Sequence, residues 1–276
     1  PLTLSILLGV AYSHVLRHAQ VRQQQMAWTG AVSYAVAAAV AVLWLAARSV
    51  PIGWREVGYG AVGGLAWVGA YLSFNLGIRL AGVSITQCVA WLAVTVPVAA
   101  GILIWGETPT WRQSVGLALV VVALGLLVLE QPKGRSEPSR WRLPALVAAF
   151  LAEGANTLAM KAYTRSAPGA DDSGLLLCMF VAAAAGMALA AARTEAKPRP
   201  GAAVHGTVLG AASVGANLAC MAAMKARLAP VMFPSFWAGS VVLTAATAMV
   251  LWRERYRPRA ILGMVLAVAS MVLLHL

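Results

Sequence analysis

The sequence predicts an all-α polytopic membrane protein whose ten transmembrane helices form two inverted five-helix repeats. Of its 276 residues, 61% are hydrophobic and 11% are charged, whereas soluble globular domains average about 45–50% apolar and about 25% charged residues. The apolar residues fall into ten runs of roughly 20 residues, the length that one crossing of a bilayer core requires. These runs repeat as two sets of five. Composition, run length and this repetition are the three observations that predict the fold class.

The ten apolar runs are separated by shorter polar segments. They cover residues 2–19, 26–47, 57–78, 82–105, 113–129, 143–163, 174–192, 203–224, 229–252 and 260–275. The longest polar stretch, residues 130–141, lies between the fifth and sixth runs. We therefore expect a first five-helix repeat over residues 1–129, a polar linker over 130–141 and a second five-helix repeat over 142–276.

The two sets of runs resemble each other at a spacing of about 146 residues. Val68-Gly69-Ala70 recurs as Val214-Gly215-Ala216, and Trp91 matches Trp237. Long internal periods of this kind indicate repeated folding units. Because each set crosses the membrane an odd number of times, the second set enters from the opposite side, which makes the repeat inverted. Many secondary transporters place a substrate site at the midplane between inverted repeats and expose it alternately to each side.

Glycine pairs also recur at equivalent places in the two sets. Gly60 and Gly64 lie near the start of the third run, and Gly206 and Gly210 lie near the start of the eighth. This spacing lets two helix backbones approach closely. Such pairs are common in any membrane bundle, so they indicate close packing more than a particular function.

The charge and the cysteines exclude several classes of protein. A net charge of +12 would suggest nucleic-acid binding in a soluble protein, but most Lys and Arg residues lie beside or between the apolar runs. We interpret them as topology signals and as contacts with anionic membrane lipids. Cys88, Cys178 and Cys220 lie in apolar runs without paired spacing, as is typical of helix-packing residues. With no phosphate-binding loop, nucleophile elbow or metalloprotease motif, we expect no enzyme, no cofactor, no metal site and no nucleic-acid partner.

Glu153 is the ionisable residue in the least expected position. It follows Arg142 by eleven residues and precedes Lys161 by eight, near the middle of the sixth run. A charge at that depth costs about 2.5–3.5 kcal/mol on insertion scales, and such residues usually face a cavity, a partner or a proton pathway. Burial favours the protonated form of a carboxyl group, so Glu153 could exchange a proton for a cationic substrate. The alternative is a carboxylate held by a basic residue or a hydroxyl of another helix for packing alone.

Further side chains share a helix face with Glu153 at a spacing of three or four residues. Others lie at the same spacing on helices that could border the same cavity. The predicted substrate-binding or proton-coupling residues are Glu153, Asn156 and Thr157 in the sixth run, Trp67, Tyr71 and Asn75 in the third, Gln87 and Trp91 in the fourth, Asn217 in the eighth and Trp237 in the ninth. Aromatic faces attract organic cations by about 0.5–2 kcal/mol each. Aromatic stripes also occur on lipid-facing and interfacial surfaces, so both interpretations stay open for these rings.

Pro97 interrupts the fourth run. Proline inside a helix removes one backbone hydrogen bond and favours a bend. We expect Pro97 to be either a gating hinge or a static kink.

Two motifs carry a resemblance to a known superfamily. Trp105-Gly106-Glu107 with Gly116, and Trp252-Arg253-Glu254 with Gly263, resemble the Glu and spaced Gly that join the fourth and fifth helices of each repeat in EamA-type transporters. These transporters are the ten-helix form of the drug/metabolite transporter superfamily. The resemblance covers nearly the whole chain, and it implies a secondary transporter built from two five-helix repeats.

A shorter resemblance concerns the surroundings of Glu153. Leu151-Ala152-Glu153, Thr157 and Met160-Lys161 are similar to the first helix of the small multidrug resistance proteins of the same superfamily. This likeness implies that Glu153 binds either protons or a cationic substrate. The family's substrate-facing Trp resembles Trp237 in Trp237-Ala238-Gly239, although Pro234 stands where that family has a tyrosine. The first run has Leu8-Gly9 and no acid, so the chain carries one such carboxylate where those dimers have two.

Together these observations predict a secondary active transporter that exports small organic solutes by alternating access. The most concrete form is multidrug efflux, in which organic cations or amphipathic amines leave in exchange for protons. An alternative is an exporter or exchanger of amino acids or other small metabolites with the same fold, and a second is a non-transporting membrane assembly protein. The expected partners are a cationic or zwitterionic solute, protons and membrane lipids. We expect a monomer or homodimer in a bacterial inner membrane.

Overall fold

A computed structural model describes residues 2–47, 52–129, 140–167, 172–194, 199–225 and 229–275. The side chains of Asp172, residues 220–225 and 229–238, and His275 lie outside this description. Within the described ranges the regular structure is entirely α-helical, and none of these residues forms a strand. The predicted linker, residues 130–141, lies almost wholly outside the described residues.

In the part of the chain that the structure describes, eleven helices occupy the ten predicted runs. They are α1 (Leu2–Val21), α2 (Met26–Ala46), α3 (Trp54–Ala81), α4 (Val83–Leu92), α5 (Thr95–Leu103), α6 (Trp111–Val128), α7 (Arg142–Ser166), α8 (Asp172–Ala192), α9 (Pro200–Lys225), α10 (Ala229–Leu251) and α11 (Pro258–His275). The count differs from ten because the fourth run folds as two helices, α4 and α5. Helix ends lie within a few residues of the predicted run limits, because the polar segments between the runs interrupt the helices.

Seven segments of the described chain are long and apolar enough to cross a membrane. They are Met26–Ala46, Trp54–Ala81, Val83–Leu103, Trp111–Val128, Arg142–Ser166, Ser173–Ala192 and Pro200–Ala219. Two shorter apolar stretches, Gly239–Leu251 and Pro258–Leu274, belong to α10 and α11. The predicted class, an α-helical polytopic membrane protein, agrees with this finding.

The break between α4 and α5 covers Ala93 and Val94, a few residues before Pro97. Val94 N–H donates to the Trp91 carbonyl and Val96 N–H to the Ala93 carbonyl, both spaced by three residues. Pro97 has no N–H to continue the ladder and occupies the first turn of α5, where that absence is tolerated. The bend expected from Pro97 is therefore present as a short turn between two helices.

Helix packing relates the first five runs to the last five. In this comparison α1, α2 and α3 of the first set correspond to α7, α8 and α9 of the second. The contact of α3 with α7 corresponds to the contact of α9 with α1, and the contact of α3 with α8 corresponds to the contact of α9 with α2. Three further pairs, α2 with α8, α6 with α11 and α4 with α10, join helices at the same position in the two sets. Each helix of one set thus contacts mainly helices of the other.

Glycines permit the closest of these contacts. A Cβ atom at Gly64 would lie 2.4 Å from the Met179 carbonyl oxygen, and one at Gly210 would lie 2.5 Å from the Ser33 carbonyl oxygen. A shift of 146 residues converts the first contact into the second, since Gly64 becomes Gly210 and Ser33 becomes Met179. The α3–α8 contact is therefore repeated by the α9–α2 contact.

The buried apolar residues form two main clusters. One joins α1, α2, α3, α8 and α9 with Val83 at the start of α4, and includes Leu16, Tyr34 and Phe180. The other joins α4, α6, α7, α10 and α11 with Ala81 at the end of α3, and includes Leu92 and Leu146. Leu16 and Tyr34 of the first cluster also border a cavity, whose remaining walls come from α3, α4, α7 and α9.

Candidate functional site

The candidate site is a cavity of about 320 Å³ enclosed by α1, α2, α3, α4, α7 and α9. Its walls combine aromatic rings, small residues and a few polar groups, with one carboxyl group. The lining residues are Ser5, Gly9, Tyr12, Ser13, Leu16, Tyr34, Trp67, Ala70, Tyr71, Phe74, Gln87, Ala90, Trp91, Ala149, Glu153, Asn156, Thr157, Met160, Ala212, Ser213, Ala216 and Asn217. This volume lies at the lower end of the range for small-molecule sites.

Eight of the residues singled out from the sequence line this cavity. They are Glu153, Asn156, Thr157, Trp67, Tyr71, Gln87, Trp91 and Asn217. Two others are placed elsewhere: Asn75 is buried between helices, and Pro97 lies in α5 beside α7. The side chain of Trp237 falls outside the described residues, so the structure does not place it.

Glu153 is partly exposed to the cavity. Its Oε1 atom accepts a hydrogen bond from Asn156 Nδ2 at 3.4 Å. Among the described side chains, no basic group forms a salt bridge with Glu153, and the two salt bridges found there both involve Glu107. The described surroundings therefore leave the carboxyl group available to a cation that enters the cavity.

Thr157 contributes little hydrogen-bonding capacity to the cavity. Its hydroxyl donates to the carbonyls of Glu153 and Gly154, each at 3.0 Å within α7. Such intrahelical bonds satisfy a hydroxyl without a partner from another helix. The Thr157 hydroxyl proton is therefore engaged within α7.

The aromatic wall is held in place by contacts between helices. Tyr34 stacks on Trp67 with ring centroids 6.2 Å apart and meets Tyr71 edge-on at 6.0 Å. The Tyr34 hydroxyl donates to the Trp67 carbonyl at 3.3 Å, and the Tyr71 hydroxyl donates to the Met26 carbonyl at 3.0 Å. Because these hydroxyls are engaged with the backbone, the rings offer their apolar faces and edges to the cavity.

Asn75 and Gln87 are engaged in contacts between helices. Gln20 Nε2 donates to the Asn75 carbonyl at 2.8 Å and to Asn75 Oδ1 at 2.9 Å, while Asn75 Nδ2 donates to the Tyr71 carbonyl at 2.8 Å. The Ser13 hydroxyl donates to Gln87 Oε1. Two amides that the sequence suggested as ligand contacts thus join α1 to α3 and α4.

The α1 wall was missed by the sequence reasoning, although the repeat contains a signal for it. Shifting the α7 lining residues back by 144 positions gives the α1 lining residues in order. The pairs are Ser5 with Ala149, Gly9 with Glu153, Tyr12 with Asn156, Ser13 with Thr157, and Leu16 with Met160. Likewise Trp67, Ala70 and Tyr71 of α3 correspond to Ser213, Ala216 and Asn217 of α9 at a shift of 146.

Glu107 lies outside the cavity, in the segment between α5 and α6. It forms salt bridges with Lys161 at 2.8 Å and with Arg165 at 2.9 Å, both from the end of α7. The hydrogen bond from Lys161 lowers the pKa of Glu107, and attraction to both cations acts in the same direction. The equivalent Glu254 instead accepts hydrogen bonds from the Val83 N–H at 2.8 Å and from the Tyr256 hydroxyl at 2.7 Å.

No group of three or more His, Cys, Asp or Glu side chains is arranged for a metal ion in the described part of the chain. The groups that the described cavity presents are one carboxyl group, aromatic faces and amides. A cation that binds beside a carboxyl group favours the ionised form of that group, so binding of the cation and loss of the proton are linked.

No protein-family model and no curated protein sequence matches the chain. Among solved structures, one described only as "Crystal structure of protein" aligns with a TM-score of 0.60 at 19% sequence identity. The alignment covers 99% of this chain and 95% of that chain. At this identity the likeness shows a shared fold over nearly the full length and nothing about ligand or activity.

Proposed function

We propose that the chain is a secondary active transporter that exports small organic cations or amphipathic amines in exchange for protons. The observation that carries the proposal is the position of Glu153, which lines a cavity among Trp67, Tyr71 and Trp91 without a described basic partner. A carboxyl group that binds either a proton or a cation, but not both, couples the two movements. Aromatic faces around it add attraction for the organic part of the solute.

We further propose the architecture of two inverted five-helix repeats of the EamA type, in a bacterial inner membrane. The reciprocal glycine contacts and the shift of 144 residues between the α1 and α7 walls support a two-fold relation between the halves. A site between such halves can open to either side as one half rocks against the other. Since the two halves are fused, a monomer contains the whole cavity.

Export of amino acids by the same fold is the second candidate. The observation that favours it is the polar wall formed by Ser213 and Asn217 of α9, in the same cavity as Glu153. An amino acid needs partners for its carboxylate as well as for its ammonium group. Hydroxyl and amide donors supply the first, and Glu153 supplies the second.

Reconstitution into liposomes tests the proposal directly. A pH gradient should drive a fluorescent organic cation across the wild-type liposome membrane, and Glu153→Gln should abolish this movement. Glu56→Gln is a matched control, because Glu56 lies outside the cavity and accepts a hydrogen bond from the Tyr163 hydroxyl at 2.7 Å. This variant should keep the coupling.

Three other outcomes would change the conclusion. Transport that is independent of pH and unaffected by Glu153→Gln would refute proton antiport. Exchange of amino acids without movement of organic cations would favour the second candidate. If no solute from a broad panel moves, a non-transporting assembly protein becomes the better account.

A further inference from the structure

The two ends of the cavity differ in exposure. Leu16 and Met160 are equivalent lining residues of α1 and α7, yet Leu16 is 0% exposed and Met160 is 38% exposed. Ser13 is buried, whereas its equivalent Thr157 is partly exposed. Leu16 and Ser13 lie toward the C-terminal end of α1, and Met160 and Thr157 lie at the equivalent positions of α7. The cavity is therefore covered near the end of α1 and less covered near the end of α7.

Two hydrogen-bonded pairs join α1 to neighbouring helices at the covered end, Ser13 with Gln87 in the cavity wall and Gln20 with Asn75 outside that wall. The Ser13 hydroxyl of α1 donates to Gln87 Oε1 of α4, and Gln20 of α1 donates to both oxygens of Asn75 in α3. All four side chains are neutral. A hydrogen bond between neutral partners contributes modestly to stability, so a small set of them can form and break reversibly.

The equivalent positions of α7 make no such contacts in the described part of the chain. Thr157, which corresponds to Ser13, donates only to carbonyls of its own helix. Thr164, which corresponds to Gln20, donates to the Met160 carbonyl, also within α7. The end of α7 is held instead by charged contacts outside the cavity, those of Lys161 and Arg165 with Glu107. Among the described residues, neutral hydrogen bonds from α1 to neighbouring helices are thus found at the covered end of the cavity.

We propose that the Ser13–Gln87 and Gln20–Asn75 hydrogen bonds form a latch that closes the cavity at the end of α1 and opens when solute passes that end. The inference deepens the transport proposal, since it names the part of the protein that closes one side. It also gives Gln87 and Asn75 a role in gating, whereas the sequence suggested that they contact the ligand.

Distances between spin labels test the latch without any ligand. Arg22 and Arg79 are exposed. Arg22 directly follows the end of α1, two residues after Gln20, and Arg79 lies in the last turn of α3, one helical turn after Asn75. Labels at Arg22→Cys and Arg79→Cys, in a chain whose three native cysteines are replaced by alanine, should report mainly one short distance. In the double variant Gln20→Ala/Asn75→Ala, the ratio of long to short distances should rise by about fivefold or more, as loss of two hydrogen bonds predicts. Thr164→Ala is the matched control and should leave the distribution unchanged.

Labelling at the other end separates a latch from a general loosening of the bundle. With the latch open, Met160→Cys should react more slowly with a water-soluble maleimide, because closure at one end accompanies opening at the other. An unchanged distance distribution, or longer distances combined with faster labelling of Met160→Cys, would overturn the inference. Neither measurement depends on protons or solute, so the latch and the role of Glu153 can fail independently.

Discussion

Gly9 of α1 and Glu153 of α7 line the same cavity from equivalent positions of the two halves, 144 residues apart. The two halves therefore differ at the point where a charge would matter most. At this position of the described cavity wall, the second half places the carboxyl group of Glu153, and the first half has the glycine Gly9, which has no side chain. Glu153 is thus the one acid in the described lining of a cavity that is otherwise built from two related walls.

Close packing at the repeated glycine contacts should be sensitive to a single methyl group. Gly64→Ala and Gly210→Ala each place a Cβ atom within 2.5 Å of a backbone oxygen, so the helices must separate. We expect each change to lower the free energy of unfolding by about 1–3 kcal/mol. Thermal unfolding in detergent measures this, with Gly125→Ala as control, because nothing lies within 4 Å of a Cβ atom there. Equal melting temperatures for all three variants would contradict the described helix contacts.

The proposed inversion predicts opposite labelling of two equivalent loops. Thr108 lies between α5 and α6, Arg255 lies between α10 and α11, and both are exposed. Single cysteines at these positions should react with a membrane-impermeant maleimide from opposite sides of sealed vesicles. The native cysteines are replaced by alanine as background. Reaction of both positions from the same side would show that the two halves have the same orientation.

Trp67 should contribute to the affinity for organic cations. Trp67→Leu removes one aromatic face from the cavity wall and should weaken binding of an aromatic ammonium ion by about 2- to 30-fold, as a cation–π contribution of about 0.5–2 kcal/mol predicts. A neutral analogue of the same shape should lose less affinity. Trp54→Leu serves as control, because Trp54 is 78% exposed and outside the cavity. Equal losses for the two variants would argue against an aromatic binding wall.

The contact of Glu107 with Lys161 and Arg165 should give the protein a pH-dependent stability. The pKa of Glu107 is lowered, chiefly by the hydrogen bond from Lys161. A carboxyl group of this kind stabilises the fold above its unfolded-state pKa, and the contribution disappears as the pH falls through the folded-state value. Glu107→Gln should therefore melt at a lower temperature than wild type at pH 7. The difference should shrink once the pH falls below the ordinary carboxyl value of 4.5; a difference that does not change with pH would contradict this account.

Much of the fold follows from the sequence because each crossing of the bilayer demands a long apolar run. The break before Pro97 was predictable for a different reason, since a proline cannot donate the next helical hydrogen bond. The division of the fourth run into two separate helices was not predictable from the sequence, because it depends on where the short turn between α4 and α5 begins and ends. The membrane class and the run limits thus come from length and composition, which the sequence displays directly.

The cavity was predictable only in part. A membrane helix is apolar on all sides, so periodicity does not reveal which face of α1 or α2 turns inward. Tyr12 and Tyr34 were missed for this reason. Polarity alone also does not distinguish a ligand contact from a bond between helices, and Asn75 bonds to Gln20. Glu153 was identified because an acid at mid-membrane depth is costly enough to need a function or a partner.

Proton release on ligand binding tests the central claim that Glu153 binds either a proton or a cation. In weakly buffered detergent solution, binding of an aromatic ammonium ion should release up to one proton per molecule at low pH, and the release should decrease toward zero as the pH rises and the free carboxyl group ionises by itself. Glu153→Gln should release none at any pH. Binding without proton release at every pH, or equal release from wild type and Glu153→Gln, would contradict the account.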